Sequence, residues 1–234
     1  MLTPIAPALF SVDTHFRVPG GGDLPLRMTV LQLADGSVVL HSPIRIDDAL
    51  AAELEAVGPI SHLIAPNCFH HVFAGKAKER WPNAKLLGAP GLAEKRPDLA
   101  FDGELGDSLL APLAAELDAC VVGGSPRMGE VVFFHRATRT LLATDLVFNL
   151  DNPPGLALRL ALSMMGNRRG LKQSRLLRVF NKDRAALQAS VERIINFPAE
   201  RVIMGHGAIL AGGDVVARLR AACWWSLGEK KPGA

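Results

Sequence analysis

Cysteine is scarce and unpaired in this sequence. Cys68, Cys120 and Cys223 are odd in number and form no CxxC pair, which argues against a disulfide scaffold or a thiolate zinc ribbon and predicts a reducing, cytoplasmic setting. Long apolar runs are missing as well. The most apolar later segment, Leu156 to Met165, falls far short of the roughly 20 residues that span a bilayer, so no transmembrane segment is expected. Met1 to Asp13 has no basic region followed by an apolar stretch and a small-residue cleavage site, so no export signal is expected either. A strong charge bias is also absent. The net charge is +3 with Lys and Arg spread along the chain, which gives no electrostatic reason to expect nucleic acid as a partner. What is present is apolar material, 49% hydrophobic against 21% charged over 234 residues. That is enough to bury one sizeable core, and a single domain over residues 1–234 is expected.

Met28 to Leu33 and Ser37 to His41, parted by Asp35-Gly36, read as a β-hairpin. Ala49, Leu50, Leu54 and Val57 share one face of a helix over Ile46 to Val57, stopped by Gly58-Pro59. His62 to Ala65 reads as a short strand, Pro66 to His71 as a loop, and Val72 to Trp81 as a helix ended by Pro82. Further strands are expected at Leu86 to Gly88, Ala119 to Val122, Val131 to His135 and Thr140 to Thr144. Helical spacing over Leu158 to Met165 and Leu171 to Phe180 predicts a helical insertion at about 151–182. A helix over Asp183 to Ile195, a final strand Arg201 to Met204 and a C-terminal helix Gly213 to Leu227 complete the chain. The tail Gly228 to Ala234 is expected to be mobile.

Three strand ends carry the polar residues capable of chemistry: Pro66-Asn67-Cys68-Phe69-His70-His71, Ala143-Thr144-Asp145 and Met204-Gly205-His206-Gly207. Each is commonplace alone. An Asp caps turns, glycines mark tight turns, and paired histidines more often make structural hydrogen bonds than bind metal. Their order carries more weight, because together they resemble the metallo-β-lactamase superfamily over nearly the whole chain. The resemblance implies a four-layer αββα sandwich, an α/β (α+β) architecture.

That family's metal loop reads H-x-H-x-D-H. With its closing D-H laid on His70-His71, Pro66 and Cys68 stand where two histidines belong. Thr144-Asp145 matches the Gly-Asp motif, and Gly205-His206 matches the closing Gly-His. Ser125, in Gly123-Gly124-Ser125-Pro126, replaces a third histidine, and His41 replaces an Asp at the end of the hairpin. The combination of His41-Ser42-Pro43 with the Pro-Asn-x-x-His-His loop resembles a divergent branch catalogued as a domain of unknown function. The departures cluster on one half of the dinuclear site, so the resemblance implies a mononuclear site for one divalent ion, zinc or iron, with His70, His71, Asp145 and His206 as metal ligands and Asp145 as the catalytic group. His70 is read as a ligand, as a residue orienting His71, or as a neighbour. His41, Asn67, Cys68 and Ser125 are placed around the site or its pocket, with a structural role for His41 and a buried apolar role for Cys68 as the plainer readings.

Two functions follow. One is a metal-dependent hydrolase acting on a small-molecule ester, thioester or phosphoester. The other is a non-catalytic member that binds a small molecule or serves as an interaction module. Arg168, Arg169, Lys172, Arg175 and Arg178 form a basic cluster suited to an anionic substrate, a membrane surface, a partner subunit or a solvated face. Trp224 and Trp225 read as the buried face of the last helix, with a homo-oligomer contact as the alternative.

Overall fold

The computed structural model describes residues 1–17, 22–151, 156–164 and 169–231. A seven-stranded sheet runs in sequence order through β1 (Thr3–Ala6), β2 (Leu9–Arg17), β3 (Asp23–Gln32), β4 (Val38–His41), β5 (Ile60–Ala65), β6 (Lys85–Gly88) and β7 (Gly103–Glu104). Strands β1 to β4 pair antiparallel and β4 to β7 parallel. Each parallel step needs a crossover, and α1 (Asp48–Val57), α2 (Ala74–Arg80) and α3 (Leu92–Lys95) supply them. Asp47 caps α1, its carboxylate accepting from the Leu50 N–H at 2.8 Å.

The short helix α4 (Leu113–Glu116) leads into the second sheet, which comprises β8 (Leu117–Val121), β9 (Val131–His135) and β10 (Thr140–Leu142). After β10 come β11 (Phe148–Asp151), α5 (Leu156–Met164), β12 (Arg169–Lys172), α6 (Arg175–Phe180) and α7 (Arg184–Ile195). The chain closes with β13 (Arg201–Ile203), β14 (Leu210–Ala211) and α8 (Val215–Ala222). The second sheet has the order β14-β13-β10-β9-β8, and β11 pairs with β12 as a separate ribbon.

The strands are apolar on both faces because each sheet lies between two layers. In β4, Val38 and Leu40 join a core beneath the crossover helices with Leu50, Leu54 and Ala77, while Val39 faces the other way. In β9, Val131 and Phe133 meet Val39 and Ile64 between the sheets, whereas Val132 and Phe134 join Leu187, Val191 and Leu219 under α7 and α8. Three apolar cores therefore separate four layers, an αββα sandwich. No helix among the described residues is long and apolar enough to cross a membrane.

Several expectations are corrected. Leu171 to Phe180 is not one helix, since Arg169–Lys172 pairs with Phe148–Asp151 and the helix starts only at Arg175, capped by Ser174. The segment expected to be a helical insertion thus contains a strand. Arg201–Ile203 is followed by another strand, β14. Strands β1 and β2 precede the expected hairpin, and α8 spans Val215–Ala222 rather than Gly213 to Leu227. Arg168 and the last three residues of the tail lie outside the described residues, as does the side chain of Arg169. In the rest of the basic cluster, Lys172 and Arg175 are exposed, and Arg178 lies over the rings of both Trp224 and Trp225. The two tryptophans are half-buried.

Candidate metal centre

The parallel pairs β4–β5 and β10–β13 belong to different sheets, yet their C-terminal ends open at one edge of the sandwich. The segments after them carry Ser42, His70, Asp145 and His206. His70 Nε2, His206 Nε2 and the Asp145 carboxylate converge there, and all three residues are buried. The two Nε2 atoms are 3.2 Å apart, His206 Nε2 lies 3.2 Å from Asp145 Oδ1, and His70 Nε2 lies 3.5 Å from Asp145 Oδ2.

Each ligand-type side chain is fixed from its far side. His206 Nδ1 is 2.6 Å from the Pro25 carbonyl, so it carries the hydrogen and leaves Nε2 facing the group. The His206 ring also stacks on Phe148, with centroids 4.9 Å apart. His70 Nδ1 is 2.7 Å from Ser42 Oγ, and Ser42 adopts a left-handed backbone at φ 59°. Such strain in a residue with a side chain is uncommon and clusters at functional sites.

Asn67 joins the loops. Its Oδ1 accepts from the Phe69 and His70 N–H groups, both at 2.7 Å, while its Nδ2 donates to Thr144 Oγ1 and Asp145 Oδ2, both at 2.8 Å. The amide thereby spends its hydrogen-bonding capacity in holding His70 against Asp145. Behind them, Glu130 accepts from the backbone N–H groups of Thr144 (2.7 Å) and Asp145 (3.0 Å). On the other side, Arg27 pairs with Asp13 at 2.7 Å and donates to the carbonyls of Met204 and Gly207 at 3.2 and 2.8 Å. It clasps the turn that presents His206. Gly205 lets His70 approach, because a Cβ there would lie 2.6 Å from His70 Cε1.

The electrostatics favour a cation. Burial works against ionisation of Asp145, but His70 and His206 override it and hold the carboxyl well below the usual carboxylate range. Burial, then the charge on Asp145, pushes Glu130 up to about 7. With Nδ1 of His206 protonated, a neutral ring would turn its Nε2 lone pair toward an anionic carboxylate, so a positive charge belongs between them. A proton on Nε2 serves one contact at a time, whereas a metal ion serves all three donors. Ligands on a tetrahedral zinc with bonds of about 2.0–2.1 Å stand about 3.3–3.4 Å apart; the two Nε2 atoms are 3.2 Å apart, and the carboxylate meets them with different oxygens, Oδ1 at 3.2 Å from His206 and Oδ2 at 3.5 Å from His70. The donor set therefore fits a metal ion. Anchoring of each histidine through its second nitrogen is how proteins orient metal-binding imidazoles.

His71 is not part of this group, contrary to the expectation that placed it among the ligands. Its Nδ1 faces Arg96 Nη1 at 2.9 Å, and Arg96 is held in turn by Asp98. Burial, with Lys95 and Arg96 nearby, lowers its pKa to about 4. The physical reason is the tight turn set by Asn67, which points neighbouring side chains apart. Cys68 is buried 3.7 Å from the Pro90 carbonyl, and burial raises its thiol pKa. Ser125 is buried, its hydroxyl finds no partner among the described residues, and its carbonyl accepts from the Met128 and Gly129 N–H groups. Neither joins the three converging donors. His41 packs edge-on against Phe133 between the sheets, and burial, then His70, lowers its pKa to about 3.

Glu130, Arg27 and Ser42 did not emerge from the sequence as site residues. The available signals were an Arg within a strand and a Glu just ahead of one, in otherwise buried stretches where an uncompensated charge is costly.

The fold has close counterparts among solved structures. A metallo-β-lactamase from Pontibacter korlensis is 14% identical, with 93% of this chain and 95% of that chain covered and a TM-score of 0.64. One from Hirschia baltica is 15% identical, with 94% and 95% covered and a TM-score of 0.63. The metallo-β-lactamase FIM-1 from Pseudomonas aeruginosa in its mono-zinc form is 15% identical, with 97% and 94% covered and a TM-score of 0.64. At such identities the likeness is one of fold. No curated protein matches the sequence. The model of a domain of unknown function, DUF4336, matches residues 20–169. Combining a metallo-β-lactamase-type sandwich with that match, the chain belongs to the DUF4336 family.

Proposed function

We propose that this protein is a metal-dependent hydrolase with a mononuclear centre held by His70, Asp145 and His206. The observation that carries the reading is the convergence of three buried donors at 3.2–3.5 Å, each histidine anchored through its other nitrogen. Nitrogen and carboxylate donors suit zinc or iron. When bound with an open position, such an ion polarises a carbonyl and brings the pKa of a coordinated water to about 7.

The protein residues supply the setting. Ionised Asp145, with Oδ2 held by Asn67, is a weak base and a strong hydrogen-bond acceptor, suited to orienting water rather than storing its proton. Phe148 and Ser42 hold the two imidazoles, so little reorganisation is needed as charge develops. The side chains beside them are largely apolar. The mono-zinc form of the P. aeruginosa relative is a precedent in this fold for one ion.

The test is hydrolysis of p-nitrophenyl acetate by zinc-loaded protein. The rate is expected to vanish with chelator, to return with zinc, and to fall at least 100-fold in Asp145→Asn and His206→Ala. Hydrolysis that survives either substitution would sink the proposal. The alternative, a binding module without catalysis, draws support from the apolar cavity, which needs no ion to hold a ligand.

A further inference from the structure

The centre opens into a cavity of about 430 Å³, within the range of about 300–1,000 Å³ typical of small-molecule sites. Its walls are Leu24, Leu26, Phe73, Phe148, Leu162 and Leu176. Phe69 and Val72 also line it and are themselves exposed, which places them at the mouth. Apart from His70, Asp145 and His206, the polar side chains among the described lining residues are those of Ser42 and Ser174. Both are engaged, Ser42 with His70 and Ser174 with the Leu176 N–H at the start of α6. No Lys or Arg is among the described lining residues. Away from the metal end, an anionic group on the ligand would leave water for described walls that offer it no lining Lys or Arg.

Resting on the hydrolase reading, we propose that the substrate is a neutral carboxylic ester or thioester whose aliphatic acyl chain fills this cavity, with its carbonyl at the His70–Asp145–His206 end. Hydrolysis then joins the water oxygen to the acyl carbon and breaks the acyl carbon's bond to the alkoxy oxygen or sulfur. That leaving group departs as alcohol or thiol with a proton from the water, and the acyl group leaves as the carboxylate with release of the second proton. No redox partner is required.

Binding can be read apart from catalysis by calorimetry with uncleaved N-methyl amides from butanoyl to decanoyl, alongside hydrolysis of the matching p-nitrophenyl esters. Affinity is expected to rise about fourfold per added methylene until the cavity is full. It should fall at least tenfold for the decanoyl amide in Val72→Glu at the exposed mouth and in Leu24→Lys within the wall, with thermal melts confirming that both variants fold. Affinity independent of chain length, or tighter binding of succinate monomethyl ester than of the decanoyl amide, would overturn the proposal whatever the metal content. Length-dependent amide binding without cleavage of any ester by metal-loaded protein would support the ligand class and overturn the hydrolase reading instead.

Discussion

Replacing Gly205 by alanine tests whether the closeness of His70 and His206 has a function. A Cβ at Gly205 would lie 2.6 Å from His70 Cε1 and 3.1 Å from its Nε2. Ordinary carbon contacts are about 3.5–4.0 Å, so the imidazole must retreat by about 1 Å. It has little room, being buried, tied to Ser42 through Nδ1 and to Asn67 through its backbone N–H. Overpacking of this kind costs about 1–3 kcal/mol. The effect on metal is larger, because ligand positions tolerate only about 0.2 Å. Gly205→Ala should therefore lose His70 as a ligand, lowering zinc affinity at least 100-fold in competition with a chromophoric chelator. Gly212→Ala is the control. Its φ of 71° predicts a strain of about 1–2 kcal/mol, but no atom lies within 4 Å of the new Cβ, so zinc affinity should be unchanged. Gly205→Ala protein that binds zinc as tightly as wild type would refute the reasoning.

Other substitutions separate the roles of neighbouring residues. His70→Ala should abolish zinc binding in the same competition assay while His71→Ala leaves it intact; the reverse pattern would assign the ligand to His71. Asn67→Ala orphans the buried N–H of His70 and the part-buried one of Phe69, so urea unfolding should show a loss of about 2–4 kcal/mol, and a loss under 1 kcal/mol would deny Asn67 its bridging role. His41 has its folded pKa lowered to about 3. The unfolded chain takes up the proton first, so its contribution is full above the unfolded pKa of about 6.5 and is lost as pH falls toward 3. Between pH 7 and 5 the wild type should lose about 2 kcal/mol more stability than His41→Gln, and parallel pH profiles from urea titrations would contradict this.

The sequence revealed the strand ends better than what surrounds them. Asp145 and His206 follow apolar segments that pair in parallel, so their order along the chain already placed them at one edge. The choice between His70 and His71 was not legible, because it depends on a turn fixed by an Asn67 contact with residues 77 and 78 positions away. Leu171 to Phe180 misled for a different reason. Its apolar spacing suits a helix, but Leu171 finds a strand partner in Asn149, and local pattern does not encode a partner. Arg27 and Glu130 stand out only once β3 and the approach to β9 are known to be buried on both faces. The cavity was the least visible feature, since its walls come from segments as distant as Leu24 and Leu176 and are indistinguishable from core in sequence.

The most direct test of the central claim is elemental analysis of protein purified without added metal or chelator, with His70→Ala and His206→Ala prepared in parallel. The account predicts about one zinc or iron ion per wild-type chain and none in either variant. Wild-type protein that holds no metal even after supplementation, or variants that keep the ion, would contradict it.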